Sequence, residues 1–174
     1  MEYSFSGKLK ITTFIMMAIG IVAMIVGFMT DDSAHQTRFW ANFLVNGFFF
    51  MGISLGALFF IAFQFAAEVA WSVAVKRVFE AVMGFVPVGS VILIVVFLAG
   101  TFHLHHLYHW MDPDVYDVNS EHYDAVIAGK SAYLNQPFFW IRTLVYLATF
   151  FLFARYFRKT SLEQDTIGGS AIHF

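Results

Sequence analysis

The sequence of 174 residues contains no cysteine. Disulfide bonds, thiolate zinc sites, cysteine-ligated iron–sulfur clusters and c-type haem attachment all need cysteine sulfur, so this chain cannot form any of them. A centre of this kind that works together with the chain must therefore be held by another protein.

Charged residues are also scarce, at 13% of the sequence, where a soluble domain has about a quarter. The formal net charge of −2 excludes a strongly basic nucleic-acid-binding protein. The sequence also lacks a nucleophile triad pattern, a phosphate-binding glycine loop and the HExxH pattern of zinc proteases. Nothing in it indicates a hydrolase.

Apolar residues are abundant instead. Hydrophobic residues make up 59% of the chain and aromatic residues 20%, and the mean hydropathy is +0.69. A core of this size cannot bury so much apolar surface, so lipid must cover part of it. The composition predicts an integral membrane protein.

Four apolar segments are long enough to cross a hydrocarbon layer of roughly 30 Å, which takes about 20 helical residues. We expect helices at about residues 11–29, 40–71, 78–103 and 138–157. Helices are required because lipid offers no partners for unpaired backbone groups. The sequence therefore predicts an all-α fold, with a four-helix transmembrane bundle in residues 1–160 and a polar tail in residues 161–174.

Positive charge predicts how the bundle is oriented. The basic residues near the ends of the expected helices fall on one side of the membrane: Lys8, Lys10, Lys76, Arg77, Arg155, Arg158 and Lys159. Short loops rich in lysine and arginine stay in the cytoplasm. We therefore expect both termini to be cytoplasmic and the loop of residues 111–136 to lie at the outer, periplasm-like surface.

Small residues and a proline interrupt the second and third expected helices. Gly52 and Gly56 have the GxxxG spacing that lets another helix approach closely. In the third helix, Gly84, Pro87 and Gly89 predict a kink, because proline removes a backbone donor. The kink could serve packing alone or could open a cleft for a ligand.

The densest group of titratable residues lies in residues 100–113. It contains four of the seven histidines, and two aspartates follow: His103, His105, His106, His109, Asp112 and Asp114. Three interpretations are open. The histidines could form an interfacial belt with neighbouring aromatic residues, since such side chains combine an apolar body with a polar tip. They could ligate a metal or haem, although only His35 could approach from another outer loop.

The third interpretation is proton handling or quinol binding at the same histidines. Oxidation of a quinol releases protons, and imidazole, which titrates near pH 6.5 in peptides, is suited to accept them. Asp112 could orient a histidine or take the proton onward. This interpretation makes His103, His106, His109, Asp112 and Asp114 the candidate site residues.

Arg142 is the next unusual residue, because it lies about one turn inside the fourth helix at the outer end. An arginine is costly in the membrane, so it should either extend towards the interface or form an ion pair. Asp112 and Asp114 are its natural partners, since the third helix ends on the same side.

Gln64 and Glu68 are four residues apart towards the inner end of the second helix. A carboxylate within a membrane helix suggests function by default. Glu68 could instead reach the inner headgroups and pair with Lys76 or Arg77. If it remains in the membrane, Gln64 and Glu68 are candidates for the inner mouth of a proton path.

Two patterns resemble those of a membrane subunit of alternative complex III: HLxHLYxWMDP at residues 103–113 and NxPFFxIRT at residues 135–143. The segments SGKLK at residues 6–10 and FFFMGISLG at residues 48–56 are similar to the same subunit. That complex is a bacterial oxidoreductase that passes electrons from quinol to cytochrome c or another acceptor. The subunit is the second of its two related NrfD-like, quinone-binding membrane subunits.

The resemblance covers most of residues 1–165 and implies a respiratory-chain subunit in the bacterial inner (cytoplasmic) membrane, not catalytic alone. It implies a quinone-facing or proton-conducting bundle near the periplasmic face, with His103, His106, Asp112 and Arg142 at the matching positions. Its implied partners are a multihaem cytochrome c subunit, an iron–sulfur subunit, a sister NrfD-like membrane subunit and lipid. Those partners would hold haem c and iron–sulfur clusters, and the quinone would be menaquinone or ubiquinone, with no cofactor ligated by this chain.

Members of that family are longer and have a second bundle, so the chain would correspond to their N-terminal four-helix part. A different interpretation is a purely structural membrane anchor that docks redox subunits. A third is a small haem-b or metal-binding membrane protein. Quinol turnover by the intact complex separates the quinone-facing or proton-conducting subunit from the structural anchor. A haem spectrum of the purified chain identifies the haem-b protein.

Overall fold

The computed structural model describes residues 6–68 and 70–167, which form helices joined by turns and loops and contain no strand. The α-helices are α1 (Gly7–Met29), α2 (Thr37–Ala67), α3 (Lys76–Met83), α4 (Val86–Thr101), α5 (Ala125–Ala128) and α6 (Gln136–Ile167). Short 3-10 turns lie between several of them. The predicted all-α fold is confirmed.

Four helical stretches are long and apolar enough to cross a membrane: Gly7–Met29, Ala34–Ala67, Lys76–Thr101 and Gln136–Asp165. They agree in number and order with the expected spans. The chain is therefore a membrane protein. The second span ends before the expected residue 71, because α2 ends at Ala67 and Glu68 takes a left-handed backbone conformation with φ of 50°. Such a residue ends a helix by turning the chain away from its axis.

The last helix is longer than the sequence predicts. It continues to Ile167, so residues 161–167 are part of α6 and do not belong to a polar tail. Ser161 and Asp165 lie four residues apart and therefore on one face, where they contact polar side chains of α3. These contacts explain why a polar segment stays helical. Residues 168–174 of the expected tail lie outside the described residues.

The third span consists of two helices that meet at Gly84 and Phe85. α3 ends at Met83, and α4 begins at Val86 with Pro87 in its first turn, where proline's missing N–H costs no hydrogen bond. The kink predicted from Gly84 and Pro87 is thus present as a break in the helix just before the proline.

Three of the four spans pack closely against one another. α2 contacts α3, α4 and α6, and the buried side chains between them are Met51, Ala57, Leu58, Ile61, Met83, Val86, Leu93, Leu147 and Ala154. α1, described over its whole length, has no buried residue. It contacts α2 near the end that the sequence predicts to be outer, which is called the outer end below, and there the rings of Phe28 and Phe39 are 5.1 Å apart. The bundle therefore has a three-span core with α1 beside it.

Candidate functional site

The histidine segment begins where α4 ends. Thr101 is the last residue of the helix, and His103 takes a left-handed conformation with φ of 55°. The N–H of His103 donates to the carbonyl of Gly100 at 3.1 Å, and the N–H of Leu104 donates to that of Ala99 at 2.9 Å. This pair of bonds is the Schellman arrangement, in which glycine usually occupies the left-handed position. It turns the chain back across the outer end of the bundle.

The carboxylate of Asp112 lies among three imidazole rings. Its oxygens are 3.1 Å from Nδ1 of His106, 3.3 Å from Nδ1 of His103 and 3.9 Å from Nδ1 of His109. An ionised carboxylate only accepts hydrogen bonds, so the bond with His106 places a proton on its Nδ1. Nε2 of the neutral ring then carries the free lone pair. The contact expected between Asp112 and a histidine is therefore present.

A cavity of about 550 Å³ adjoins these groups. It is lined by His103, His106, His109, Asp112, Pro113, Asp114, Val115 and His122. The side chain of Asp112 is 22% exposed and that of His106 is 43% exposed, so the cluster is reachable from outside. The predicted residues of the outer site, apart from Arg142, thus share one opening.

His122 was not identified from the sequence. It lies in the acidic loop, and the loop returns to the cavity because the N–H of Asp124 donates to the carbonyl of Val115 at 3.0 Å. A long-range backbone bond of this kind leaves no periodic signal in a sequence. The sequence around His122, an isolated histidine in a polar loop, therefore does not indicate that it belongs to the site.

His35 approaches the cluster from the loop between α1 and α2. Its ring centre is 4.6 Å from that of His106, in an edge-on contact. Rings in direct contact leave no room for a haem plane between them. Within residues 6–68 and 70–167, no group of three or more histidine, aspartate or glutamate side chains is arranged to hold a metal ion. The geometry therefore gives no support to a haem between His35 and His106 or to a metal ion held by three such side chains in this part of the chain.

His105 has a structural role, unlike its neighbours. It is 2% exposed, its Nε2 donates to the carbonyl of Val96 at 3.0 Å, and its Nδ1 accepts from the N–H of Leu107 at 3.3 Å. Both ring nitrogens are thus used by the backbone, and the ring is neutral. A Cβ at Gly100 would lie 3.1 Å from the His105 ring, so the ring packs tightly against the end of α4.

The outer loop is a folded cap. The hydroxyl of Tyr116 lies 2.7 Å from the carbonyl oxygen of Leu134 and 2.9 Å from that of Trp110, which joins the two ends of the loop. Burial raises the pKa of Tyr116 above its ordinary value, and burial also raises the pKa of Tyr108. Both hydroxyls are therefore protonated at neutral pH, and that of Tyr116 can donate a hydrogen bond to these carbonyls.

Of the two alternatives for Arg142, the ion pair with Asp112 or Asp114 is not formed. Its guanidinium donates to the carbonyl of Tyr133 at 3.3 Å and lies 3.7 Å above the Tyr133 ring and 4.6 Å above the Phe138 ring. Aromatic faces attract a cation and are available at this boundary. Arg142 thus fastens the loop to the start of α6 and does not line the histidine cavity.

The inner candidates are also separated. Gln64 is buried, and its Nε2 has no hydrogen-bond partner in the described part of the chain. Glu68 is exposed at the end of α2, so the two side chains lie in different environments. The expected partners of Glu68 have other contacts: Lys76 is 3.3 Å from Asp165, and Arg77 pairs with Asp165 and with Glu80.

Glu80 and Ser161 form a polar contact that sequence reasoning did not identify. Glu80 is 7% exposed and Ser161 is 1% exposed, and the serine hydroxyl donates to the glutamate carboxylate. Arg77 donates to the other carboxylate oxygen. This contact joins α3 to α6 at the inner end of the bundle.

Replacement of His103 by glycine is expected to stabilise the protein by ~1 kcal/mol. A left-handed conformation costs a residue other than glycine about 1–2 kcal/mol. The exposed contact with Asp112 contributes only about 0–1 kcal/mol, so relief of backbone strain should dominate. Unfolding of His103→Gly in detergent, followed by tryptophan fluorescence, measures the change.

Phe102 provides the matched control for that substitution. It precedes His103, is exposed, and has an ordinary negative φ of −88°. Phe102→Gly should therefore destabilise the protein slightly, because glycine gains nothing there and loses more entropy on folding. If His103→Gly were destabilised as much as Phe102→Gly, the left-handed position would carry no strain.

Comparison of the chain with protein-family models and with curated proteins gave no match. The likeness to alternative complex III therefore depends on the sequence patterns at residues 103–113 and 135–143. The geometry stands independently of that likeness. It consists of a helical membrane protein with an accessible carboxylate–imidazole cluster beside a cavity, held by a folded loop at one end of the bundle.

Proposed function

We propose that the chain is a membrane subunit of a bacterial respiratory complex that oxidises quinol, and that its outer histidine cluster accepts protons released in that reaction. The observation that supports this most directly is the Asp112 carboxylate among the imidazoles of His103, His106 and His109, beside an open cavity. Quinol has hydroxyl protons to give up, and the cluster offers basic nitrogens at a membrane boundary.

The proton acceptor in this proposal is Nε2 of His106. Asp112 holds the other ring nitrogen, which fixes the orientation of the ring and leaves Nε2 free. Once the ring is protonated, the adjacent carboxylate stabilises the imidazolium by its opposite charge. His109 and Asp114, which line the same cavity and are exposed, then offer a route for the proton to external water.

The electrons must leave by another protein. Quinol gives up electrons along with its protons, and a chain without cysteine has no ligands for the iron–sulfur or c-type haem centres that the resemblance implies. The proposed partners are an iron–sulfur subunit, a multihaem cytochrome c subunit and a sister NrfD-like subunit. In this arrangement the chain supplies the proton-accepting wall of the quinol site, in the bacterial inner membrane.

The remaining candidate residues have smaller roles in this proposal. Arg142 positions the loop through Tyr133 and does not contact the cavity. Gln64 is buried and Glu68 is exposed, and neither of them is assigned a role in this proposal. Proton release is therefore proposed only at the outer surface.

Replacement of Asp112 by asparagine tests the proposal. An amide keeps the shape of the side chain and can accept a hydrogen bond, but it cannot stabilise an imidazolium by charge. We expect Asp112→Asn to lower the kcat of quinol oxidation by about 100-fold in the assembled complex, within the usual range for general base catalysis. The measurement is quinol:cytochrome c turnover in membranes, with co-purification of the partner subunits as the check on assembly.

Asp117→Asn is the matched control. Asp117 is an exposed acid of the same loop that does not line the cavity, so its loss changes the net charge equally. It should leave turnover within about twofold of the unaltered complex. Full turnover in Asp112→Asn with normal assembly would refute proton acceptance by this cluster.

A structural anchor is the second candidate function, and α1 is the observation in its favour. The helix is apolar throughout, has no buried residue and is described over its full length. A span that packs so little against its own chain is available to a neighbouring subunit. Under this alternative, changes on α1 should prevent assembly while changes at Asp112 leave turnover intact.

A further inference from the structure

A second cavity lies at the inner end of the bundle, between the break in the third span and α6. Its volume is about 350 Å³. One wall is apolar and is formed by Met83, Pro87, Phe151 and Leu162. The break before Pro87 interrupts the surface of the span and leaves this opening. The proline therefore contributes to a cavity as well as to the kink.

Cationic side chains form another part of the lining of this cavity. Arg155, Arg158 and Lys159 line it from α6, and all three side chains are exposed. A hydrophobic ligand alone would need no such groups. The combination of an apolar wall with adjacent cations fits an amphiphile whose polar part is anionic.

The contacts between α3 and α6 show where these cations lie in the bundle. Lys76 contacts Asp165, and Glu80 contacts Ser161. A step of four residues towards the C-terminus on α3 therefore matches a step of four residues towards the N-terminus on α6. The helices are antiparallel, and the polar contacts mark their shared end. Arg155 lies six residues from Ser161 towards the apolar part of α6, so its long side chain can extend towards the lipid headgroups at that end.

The charges of these cationic side chains are largely uncompensated. Arg155 and Arg158 have no hydrogen-bond or ion-pair partner within residues 6–68 and 70–167. Lys159 is 3.6 Å from Glu163, but both side chains are exposed, which makes the pair weak. By contrast, Arg77 on α3 is neutralised by two carboxylates.

We propose that this cavity binds an anionic phospholipid, with its phosphate held by Arg155, Arg158 and Lys159 and an acyl chain against the apolar wall. Guanidinium groups bind phosphate oxygens in pairs and keep their charge at any ordinary pH. Basic pockets between helices at a membrane boundary suit such headgroups. A free phosphate ion would use the cations but would leave the apolar wall bare.

Lipid retention by the purified chain tests the site. The chain is equilibrated in detergent with phosphatidylglycerol or with phosphatidylcholine, and bound lipid is counted by native mass spectrometry. Each cation near an anionic lipid contributes about a factor of five to affinity. The variant R155Q/R158Q should therefore bind phosphatidylglycerol about 25-fold more weakly, with little change for phosphatidylcholine, and each single variant should lose about fivefold.

The variant K8Q/K10Q is the control, because it removes two exposed cations from the start of α1 and leaves the cavity intact. It should bind phosphatidylglycerol as the unaltered chain does. Equal losses in both double variants would indicate general charge attraction and overturn the site. Unchanged binding in R155Q/R158Q would overturn it as well. Displacement of the lipid by inorganic phosphate at equal concentration would show that the cavity is a phosphate site and refute the lipid assignment.

Discussion

Replacement of Gly89 by leucine is expected to destabilise the bundle by ~3 kcal/mol, whereas the same replacement at Gly52 is expected to change stability by less than ~0.5 kcal/mol. A Cβ at Gly89 would lie 2.9 Å from Sδ and 3.3 Å from Cβ of Met51, and 3.2 Å from the Phe85 ring. Met51 is itself buried in the core, so it has little room to move. A Cβ at Gly52 would meet nothing within 4 Å.

The two glycine variants control for each other. Both replace a glycine inside a helix by the same good helix former, so any gain in helix propensity is shared. The difference between their free energies of unfolding in detergent then reports packing between α2 and α4. Equal stability of Gly89→Leu and Gly52→Leu would mean that α2 and α4 do not approach closely at Gly89.

These glycines show why part of the fold could not be read from the sequence. The spacing of Gly52 and Gly56 predicts a close helix approach, but within this chain both are exposed with open space beside them. The close approaches are at Gly47, where a Cβ would lie 2.6 Å from Ile92, and at Gly89. The spacing of glycines identifies a helix face without bulky side chains. It does not identify the helix that packs there, and nearly every face of a membrane helix is apolar. Hydropathy therefore does not tell which face meets its own chain.

The membrane spans were predictable because they depend on length and hydropathy alone. The histidine cluster was predictable for a related reason: His103, His106, His109 and Asp112 are close in sequence, so any compact turn after α4 brings them together. Contacts between distant segments were not predictable. The return of His122 depends on the loop fold, and the position of Arg142 depends on aromatic rings that compete with the carboxylates as partners for its charge.

The inner end of the bundle supplies the clearest failure of sequence reasoning. Residues 161–174 have the composition of a solvated tail, yet Ser161 is almost fully buried and Asp165 contacts two cations. A polar residue near the end of a helix does not show whether that segment is solvated or packed until its partner is known. Glu80 is that partner, and it is 81 residues away from Ser161 in the chain.

Replacement of Ser161 by alanine is expected to destabilise the protein by ~2 kcal/mol. The hydroxyl donates to the carboxylate of Glu80, and hydrogen bonds to charged groups contribute about 1.5–3 kcal/mol. Alanine would leave that carboxylate oxygen buried without its donor. Thr149→Ala is the control on the same helix, because the Thr149 hydroxyl is exposed and donates only to the carbonyl of Val145. Its loss should change stability by less than ~0.5 kcal/mol.

A double-mutant cycle with Glu80→Gln separates the contact from general effects of either substitution. If the hydroxyl acts through the carboxylate, Ser161→Ala should cost less in the Glu80→Gln background, with a coupling energy of ~1 kcal/mol or more. Free energies of unfolding for the four proteins in one detergent give this value. Additive losses would mean that Ser161 and Glu80 stabilise the bundle independently, and residues 161–167 would then have no specific role in joining α6 to α3. A measured coupling would instead identify this end of α6 as part of the membrane bundle.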